Sequence, residues 1–392
     1  MNVFIVGTGV GDLTQQAKMA IDSAQIIIGA RRMAEQFTSA GKQAFIAYDP
    51  AEIAGILRNS DAETAAVLMS GDCGFFSGTK KLLPLLSGME TRIISGISSL
   101  SAFCSRIGIS YEDIRNVSLH GRAGNIAINV ATNEKCFFLL GGNLNAAAVC
   151  RRLTEFGLGS VTVHIGENLG SADEMVRTGT AEELSQVQTA PLSVIITENA
   201  EFIRHLPSGI TDNLFTRGEV PMTKASVRCC AVGALEIRRN DVCWDIGCGT
   251  GSVSVEMAYR CPSGTVFSFD KKHDATLLTA ENSRKFHCDN IKVIEGNAPE
   301  ILADAPAPDR VFIGGSGGNL SEIFRIISGK NPDAGIVVTA VTLETLNAAV
   351  SAFSEISKEC SVSQIAVTDT RKIGGYTMLQ AQNPVFIIRG LQ

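Results

Sequence analysis

The sequence predicts two α/β domains in one chain, each built on a largely parallel sheet, the second a Rossmann-like sheet of seven strands. Three observations carry this. Short β-rich apolar runs alternate with helical periodicity from end to end. The length, 392 residues, exceeds what one hydrophobic core ordinarily organises. The periodicity lapses once, in a polar, turn-rich stretch between about Glu198 and Lys224. The boundary is placed there, giving domains 1–208 and 209–392.

In the first domain strands are expected at Val3–Val6, Ile26–Ile28, Phe45–Tyr48, Ala66–Met69, Arg92–Ile94, Cys136–Leu140, Val161–Ile165 and Leu192–Ile196. Leu13, Ala17, Ala20, Ile21 and Ala24 mark the apolar stripe of a helix between the first two, and residues 144–156 carry another. After the boundary a helix over Ala225–Glu236 leads into strands at Val242–Ile246, Val266–Phe269, Ile291–Glu295, Arg310–Ile313, Ile336–Thr339, Ser363–Thr368 and Val385–Arg389. The two halves do not resemble each other, and no internal repeat is visible.

Composition narrows the function. A hydrophobic fraction of 45% with 19% charged residues describes a well-packed chain. The net charge of −6 offers no global basic surface for a phosphate backbone, so nucleic acid is not the expected partner. The 11 cysteines are scattered and never form a C-x-x-C pair, which reads as buried free thiols and no metal site. No apolar run approaches the ~18 residues that span a bilayer, and the start, MNVFIVGTGVGD, lacks the basic and long apolar segments of a signal peptide. A cytosolic protein without a membrane partner is expected.

The strongest mechanistic signal is Val242-Cys243-Trp244-Asp245-Ile246-Gly247-Cys248-Gly249-Thr250-Gly251, followed by helical periodicity over Ser252–Arg260. Strand, glycine turn and helix start coincide, so backbone can approach a nucleotide-like ligand at a helix N-terminus. The G-x-G-x-G spacing, with an acid two residues before the first glycine, differs from the dinucleotide fingerprint G-x-G-x-x-G and points to S-adenosylmethionine. Asp270, ending the next strand, stands where a carboxylate can accept both ribose hydroxyls. Asn297 and Ala298 in the following loop can meet the adenine edge. The fourth strand ends in Gly314-Gly315-Ser316-Gly317-Gly318, whose successive N–H groups can nest the carboxylates of a substrate; a tight turn serving helix packing explains those glycines equally well. Lys224, Arg228, Arg371 and Lys372 are further candidates to pair with substrate carboxylates.

Thr223-Lys224-Ala225-Ser226-Val227-Arg228, DIGCGTGSVSVE and above all PDRVFIGGSGG resemble the decarboxylating precorrin methyltransferases that act at C-15 of the corrin ring. The resemblance implies that Thr223, Gly247 to Gly251, Asp270 and Ala298 contact the cofactor. In the first half, the loop Gly7-Thr8-Gly9-Val10-Gly11 is weak evidence alone. Together with Met69-Ser70-Gly71-Asp72-Cys73-Gly74-Phe75-Phe76-Ser77, Gly96-Ile97-Ser98-Ser99-Leu100 and Glu167-Asn168-Leu169-Gly170, it resembles the tetrapyrrole methylase family, specifically its C-5 precorrin members, over most of residues 1–200. That resemblance implies a cofactor pocket at Gly71, Asp72, Ser98 and Ser99, with Gly7, Gly9 and Gly11 facing the substrate and Arg31, Arg32, His120 and Arg122 near its carboxylates. Cys73 and Val10 stand where the family has proline and Phe76 where it has tyrosine, so a less rigid loop is expected.

The pair of resemblances implies methylation of a precorrin or cobalt-precorrin at C-5 and C-15, with loss of the ring C acetate as carbon dioxide, in cobalamin biosynthesis. One S-adenosylmethionine per domain and a homo-oligomer are expected, and no side chain stands out as catalytic. A methyltransferase for transfer RNA or another small molecule, and an S-adenosylmethionine sensor with one degenerate domain, remain open alternatives.

Overall fold

The computed structural model describes residues 1–38, 42–119, 124–141 and 144–390. The chain forms two compact units. One comprises Met1–Arg122, Lys135–Val149 and Thr162–Glu198; the other comprises Ala123–Glu134, Cys150–Val161 and Asn199–Gln392.

The first unit holds two five-stranded sheets. Strands β1 (Asn2–Gly7), β2 (Ile26–Gly29), β3 (Gln43–Ile46), β4 (Thr64–Met69) and β5 (Glu90–Ile94) lie in the order β3-β2-β4-β1-β5 and are parallel throughout. Helices cover such a sheet on both faces, which is why β2 and β4 read as nearly unbroken apolar runs. The second sheet departs from expectation. Its strands β6 (Arg115–Ser118), β7 (Lys135–Leu139), β8 (Thr162–Glu167), β9 (Met175–Thr180) and β10 (Ser193–Glu198) run β6-β7-β10-β8-β9, and only β6 and β7 are parallel. The edge strands β6 and β9 escaped the sequence reading because edges need no strong apolar pattern: RNVS and MVRTGT are only partly buried.

In the second unit β11 (Val242–Ile246), β12 (Thr265–Asp270), β13 (Ile291–Glu295), β14 (Arg310–Ile313), β15 (Gly335–Ala340), β16 (Cys360–Ile365) and, beyond an intervening pair, β19 (Val385–Gly390) form the expected seven-stranded sheet. Its order is β13-β12-β11-β14-β15-β19-β16, and β19 runs antiparallel to both neighbours. The intervening β17 (Thr368–Ile373) and β18 (Tyr376–Ala381) make a separate hairpin in which every residue is exposed. The strand expected at Ser363–Thr368 therefore splits between β16 and β17. Trp244 anchors the core, its ring edge-on to Phe269 with centroids 5.5 Å apart. The helix Ser252–Arg260 is buried along nearly its whole length, as suits a helix held between the sheet and further helices.

One carboxylate helps to hold residues 124–134 on this unit, beside the Asn125 and Asn129 amides that donate to the Pro262 carbonyl. Asp289 accepts hydrogen bonds from the N–H groups of Ile126 (2.7 Å), Ala127 (3.0 Å) and Ile128 (3.1 Å), the start of the helix Ala127–Ala131. Arg152 stands 3.6 Å away and balances part of the charge. Burial pushes the Asp289 carboxyl above its ordinary range, while those N–H groups and Arg152 pull it back down. Replacing Asp289 by alanine leaves three N–H groups without that acceptor, and urea unfolding is expected to show a loss of about 2 kcal/mol or more; asparagine, which keeps one acceptor oxygen, should recover part of it.

Candidate functional site

Strands β11 and β14 are neighbours, but the chain proceeds from β11 to β12 and β13 on one side and from β14 to β15 on the other. A crevice opens where such connections diverge, at the carboxyl ends of the strands. The glycine loop after β11, the ends of β12 and β13 and the GGSGG loop after β14 line one cleft there, with Ile246 and Phe269 as apolar wall and Val220 and Pro221 opposite the glycine loop.

The spacing of the glycine loop has a separate cause at each glycine. Gly247, Gly249 and Gly251 all take left-handed backbone, with φ of 76°, 57° and 73°. A Cβ on Gly247 would lie 2.7 Å from both the nitrogen and the oxygen of Gly315, and one on Gly249 would lie 2.7 Å from the Pro221 carbonyl. A Cβ on Gly251 would press on Thr279 at 2.8 Å. Asp270 then fastens the loop: one carboxylate oxygen accepts the Gly249 N–H and the other the Lys272 N–H, each at 3.0 Å. Each oxygen retains a lone pair toward the cleft for a hydroxyl donor. At β13, Asn297 donates its amide to Glu300 at 2.7 Å, and the Ala298 carbonyl accepts from Asn319 at 3.3 Å.

Two charged groups expected at this cleft are occupied elsewhere. Asp245 is fully buried and accepts from the Ser254 hydroxyl, which in turn accepts from Ser268 at 2.8 Å. It ties β11 to the helix that follows the glycine loop and does not line the cleft. Burial pushes its carboxyl up to about 7, against the downward pull of the Ser254 bonds. Arg228 is likewise wholly buried. Its guanidinium donates to Glu256 (2.6 Å), to Asp212 (3.3 Å), to the Thr223 carbonyl (2.5 Å) and to the Ile210 carbonyl, and lies over the Phe215 ring. It cannot reach a substrate, because it is wholly buried and its hydrogen bonds hold residues 210–223 against the helix carrying Glu256. Lys224 pairs with Asp212 at 3.6 Å, and Arg371 and Lys372 lie on the exposed β17.

In the first unit three adjacent strand ends converge on glycine backbone. A Cβ on Gly7 would meet the Gly96 nitrogen at 2.6 Å and the Gly71 oxygen at 2.7 Å. The Gly9 N–H donates to the Gly71 carbonyl (2.9 Å), and the Val10 N–H to that of Ile97 (3.0 Å). Asp72 bridges two loops by accepting from the N–H groups of Gly74 (2.8 Å) and Gly96 (3.2 Å). Ser98 caps the helix Ser99–Ile107, accepting the Ser101 N–H at 3.1 Å. Cys73, in place of proline, is buried with its thiol toward the carbonyls of Ile5 (3.6 Å) and Ile94 (3.4 Å), and burial pushes that thiol up to about 11. The loop is thus pinned by Asp72 and Cys73 where a proline ring would have stiffened it. Gly11 backs onto Gly170 closely enough that a Cβ there would fall 2.3 Å from the Gly11 nitrogen.

Residues 213–390 match the model of the precorrin methyltransferase domain, and residues 2–185 that of the tetrapyrrole (corrin/porphyrin) methylases. A probable cobalt-precorrin-6B C(15)-methyltransferase (decarboxylating) of Pyrobaculum calidifontis is 45% identical over 183 residues, 46% of this chain and 94% of that protein. The chain belongs to the precorrin methyltransferases. The match to a precorrin-6Y C(5,15)-methyltransferase [decarboxylating] of Sinorhizobium sp spans both units, at 28% identity over 389 residues, 96% of this chain and 92% of the relative.

Of the residues expected to act in this precorrin methyltransferase, the structure brings Gly247, Gly249, Asp270, Asn297, Ala298 and Gly314 to Gly317 to one cleft. Cys248 and Thr250 alternate with the loop glycines but turn inward and are buried; the Cys248 thiol lies 3.3 Å from the Thr279 hydroxyl. Gly251 is the N-cap of the helix, and the Thr223 carbonyl is engaged by Arg228. Gly7, Gly9, Gly11, Gly71, Asp72, Ser98 and Ser99 gather at the ends of β1, β4 and β5. Arg32 reaches the Ser70 hydroxyl at 3.3 Å, whereas Arg31 pairs with Glu35; His120 and Arg122 lie outside the described residues. Lys271 and Lys272 also line the cleft and escaped the sequence reading, since two lysines after a strand look the same as any solvated surface charge.

The raised Asp245 carboxyl gives a signed prediction. Its folded value, about 7, exceeds the unfolded one, 3.8, so its contribution to stability is full below about pH 4 and lost as pH rises through about 7. Urea unfolding from pH 4 to 8 should show Asp245→Asn losing this decline, its stability gaining on the parent as pH rises; an unchanged slope would refute the assignment.

Proposed function

We propose that this chain methylates a precorrin or cobalt-precorrin macrocycle at C-5 and C-15 and releases the ring C acetate as carbon dioxide, with one S-adenosylmethionine bound in each half. In this reading residues 1–208 act at C-5 and residues 209–392 at C-15. The observation that carries it is the convergence, at one strand-end cleft, of a left-handed glycine loop, a carboxylate at the next strand end and the GGSGG loop. A chain-long relative whose name carries both positions supports the pairing.

The chemistry asks little of side chains as nucleophiles or bases. S-adenosylmethionine supplies a methyl group activated on a sulfonium. The glycine loop brings backbone against the ligand, Asp270 orients hydroxyls, and Ile246 and Phe269 exclude water. Holding donor and ring carbon in line is worth ~7–11 kcal/mol of barrier lowering, so the transfer does not require a triad. Gly7, Gly9, Gly11 and the loop Gly314 to Gly317 are assigned to the substrate side, and Gly71, Asp72, Ser98 and Ser99 to the donor of the first half. Titration of the full chain with S-adenosylhomocysteine should give two equivalents. Asp270→Ala should remove one and leave a product methylated at C-5 only; Asp72→Ala should remove the other. A single equivalent in the parent would overturn the two-donor reading.

A homo-oligomer belongs to the same proposal. The hairpin β17–β18 exposes Ile373, Tyr376, Met378 and Leu379, with Tyr376 and Leu379 at 80% and 76%, an apolar surface of the kind that protein contacts cover. Sedimentation should show the parent as an oligomer and the Tyr376→Ser, Leu379→Ser double variant as a smaller species; equal masses would remove the hairpin from the interface.

A further inference from the structure

Lys271 follows Asp270 directly and faces the GGSGG loop across the cleft. Its Nζ lies 3.7 Å from where a Cβ would stand on Gly317, and both residues line the same opening. Among the described residues its ammonium has no ion-pair or hydrogen-bond partner.

The loop opposite is only partly committed. The N–H groups of Gly314 and Gly315 both donate to the Ile246 carbonyl, at 2.9 and 3.3 Å. That of Gly318 reaches the Ser316 hydroxyl at 3.4 Å, and that of Asn319 the Ser316 carbonyl at 3.1 Å. The two N–H groups between them, of Ser316 and Gly317, donate to nothing among the described residues. Gly317 and Gly318 take φ of 59° and 93°, and left-handed residues in a turn bring neighbouring N–H groups into one concavity. An unpaired ammonium and two undonated N–H groups thus share one mouth of the cleft, and the carboxylate beside them, Asp270, is already bonded to Gly249 and Lys272.

We propose that Lys271 and the Ser316–Gly317 backbone form a carboxylate subsite for the macrocycle, and that it grips a side chain the reaction leaves intact. The proposal rests on the reading of the chain as a corrin-ring methyltransferase. The choice between a retained carboxylate and the departing one follows from charge. When carbon dioxide leaves, the C–C bond breaks, its electron pair passes to the ring, a proton is taken up there, and the carboxylate becomes neutral. An ammonium and two N–H groups stabilise the ionised ground state and lose that interaction on the way to the transition state, so gripping the departing acetate would raise its barrier. The subsite therefore orients the ring through a spectator carboxylate, and the acetate that is lost lies away from Lys271.

The test uses the full chain with precorrin-6Y and S-adenosylmethionine, scoring the C-15-methylated product by mass spectrometry, beside titrations with S-adenosylhomocysteine. Lys271→Met should raise KM for the ring about tenfold, with kcat little changed, with S-adenosylhomocysteine affinity unchanged and with the ratio of decarboxylated to intact product as in the parent. Lys271→Arg should restore most of the KM. Weakened S-adenosylhomocysteine binding would mean that the subsite serves the donor's own carboxylate, and a larger decarboxylated share would mean that it holds the departing acetate. Either result, or an unchanged KM, overturns the proposal while leaving the functional reading in place. A parent that methylates no precorrin would overturn the functional reading and the subsite together.

Discussion

Backbone packed on backbone at the strand ends is the constraint from which both halves of this molecule are built. At Gly247 against Gly315, and at Gly7 against Gly71 and Gly96, a single added methyl would fall inside van der Waals contact with main-chain atoms. Main chain cannot rotate aside as a side chain can, so these positions exclude every residue but glycine. The consequence is a mouth lined by N–H and C=O groups whose positions are set by the sheets beneath them. That is the surface a nucleoside-like ligand and a carboxylate-fringed ring can share, because neither has to displace a side chain to bind.

Carboxylates hold these loops in place, and each half uses one in a similar way. Asp270 accepts the Gly249 N–H from the neighbouring strand's loop, and Asp72, after β4, accepts the Gly96 N–H from the loop after β5, on the far side of β1. A carboxylate that accepts backbone N–H groups fixes loop geometry and still keeps lone pairs for a ligand. Further from the mouth, the buried charges have a different task. Arg228 with Glu256 and Asp212 secures residues 210–223, whose continuation brings Val220 and Pro221 to the cleft. A buried pair of this kind contributes little net stability against an apolar replacement, but removing one member strands the other, so its effect is to specify one arrangement of the segment.

The separation of glycine from charge also accounts for where the sequence misleads. Asp245 sits at the expected distance from Gly247, yet the strand alternation that points Ile246 into the cleft turns Asp245 away, into the sheet–helix layer where Ser254 receives it. Arg228 lies in a stretch that resembles the family, and its type suggests substrate carboxylates; only its burial shows that its hydrogen bonds are made within the unit. Lys271 is the converse case, a lysine without a motif of its own that becomes informative once the fold sets it across from undonated N–H groups.

The amino-acid sequence by itself determined the elements whose signals are local. The strand Val242–Ile246, the glycine turn and the helix Ser252–Arg260 follow from periodicity and from the φ that glycine alone tolerates, and the seven-stranded sheet from counting such runs. Tertiary structure alone decided what depends on partners distant in the chain. The edge strands β6 and β9 are held by their sheet neighbours, with little apolar pattern of their own. The bonds from Ile126, Ala127 and Ile128 to Asp289 join positions more than a hundred residues apart. Which charges face a ligand is settled the same way, because a hydrogen bond is satisfied by whatever donor or acceptor the fold delivers within about 3 Å, whatever its place in the sequence.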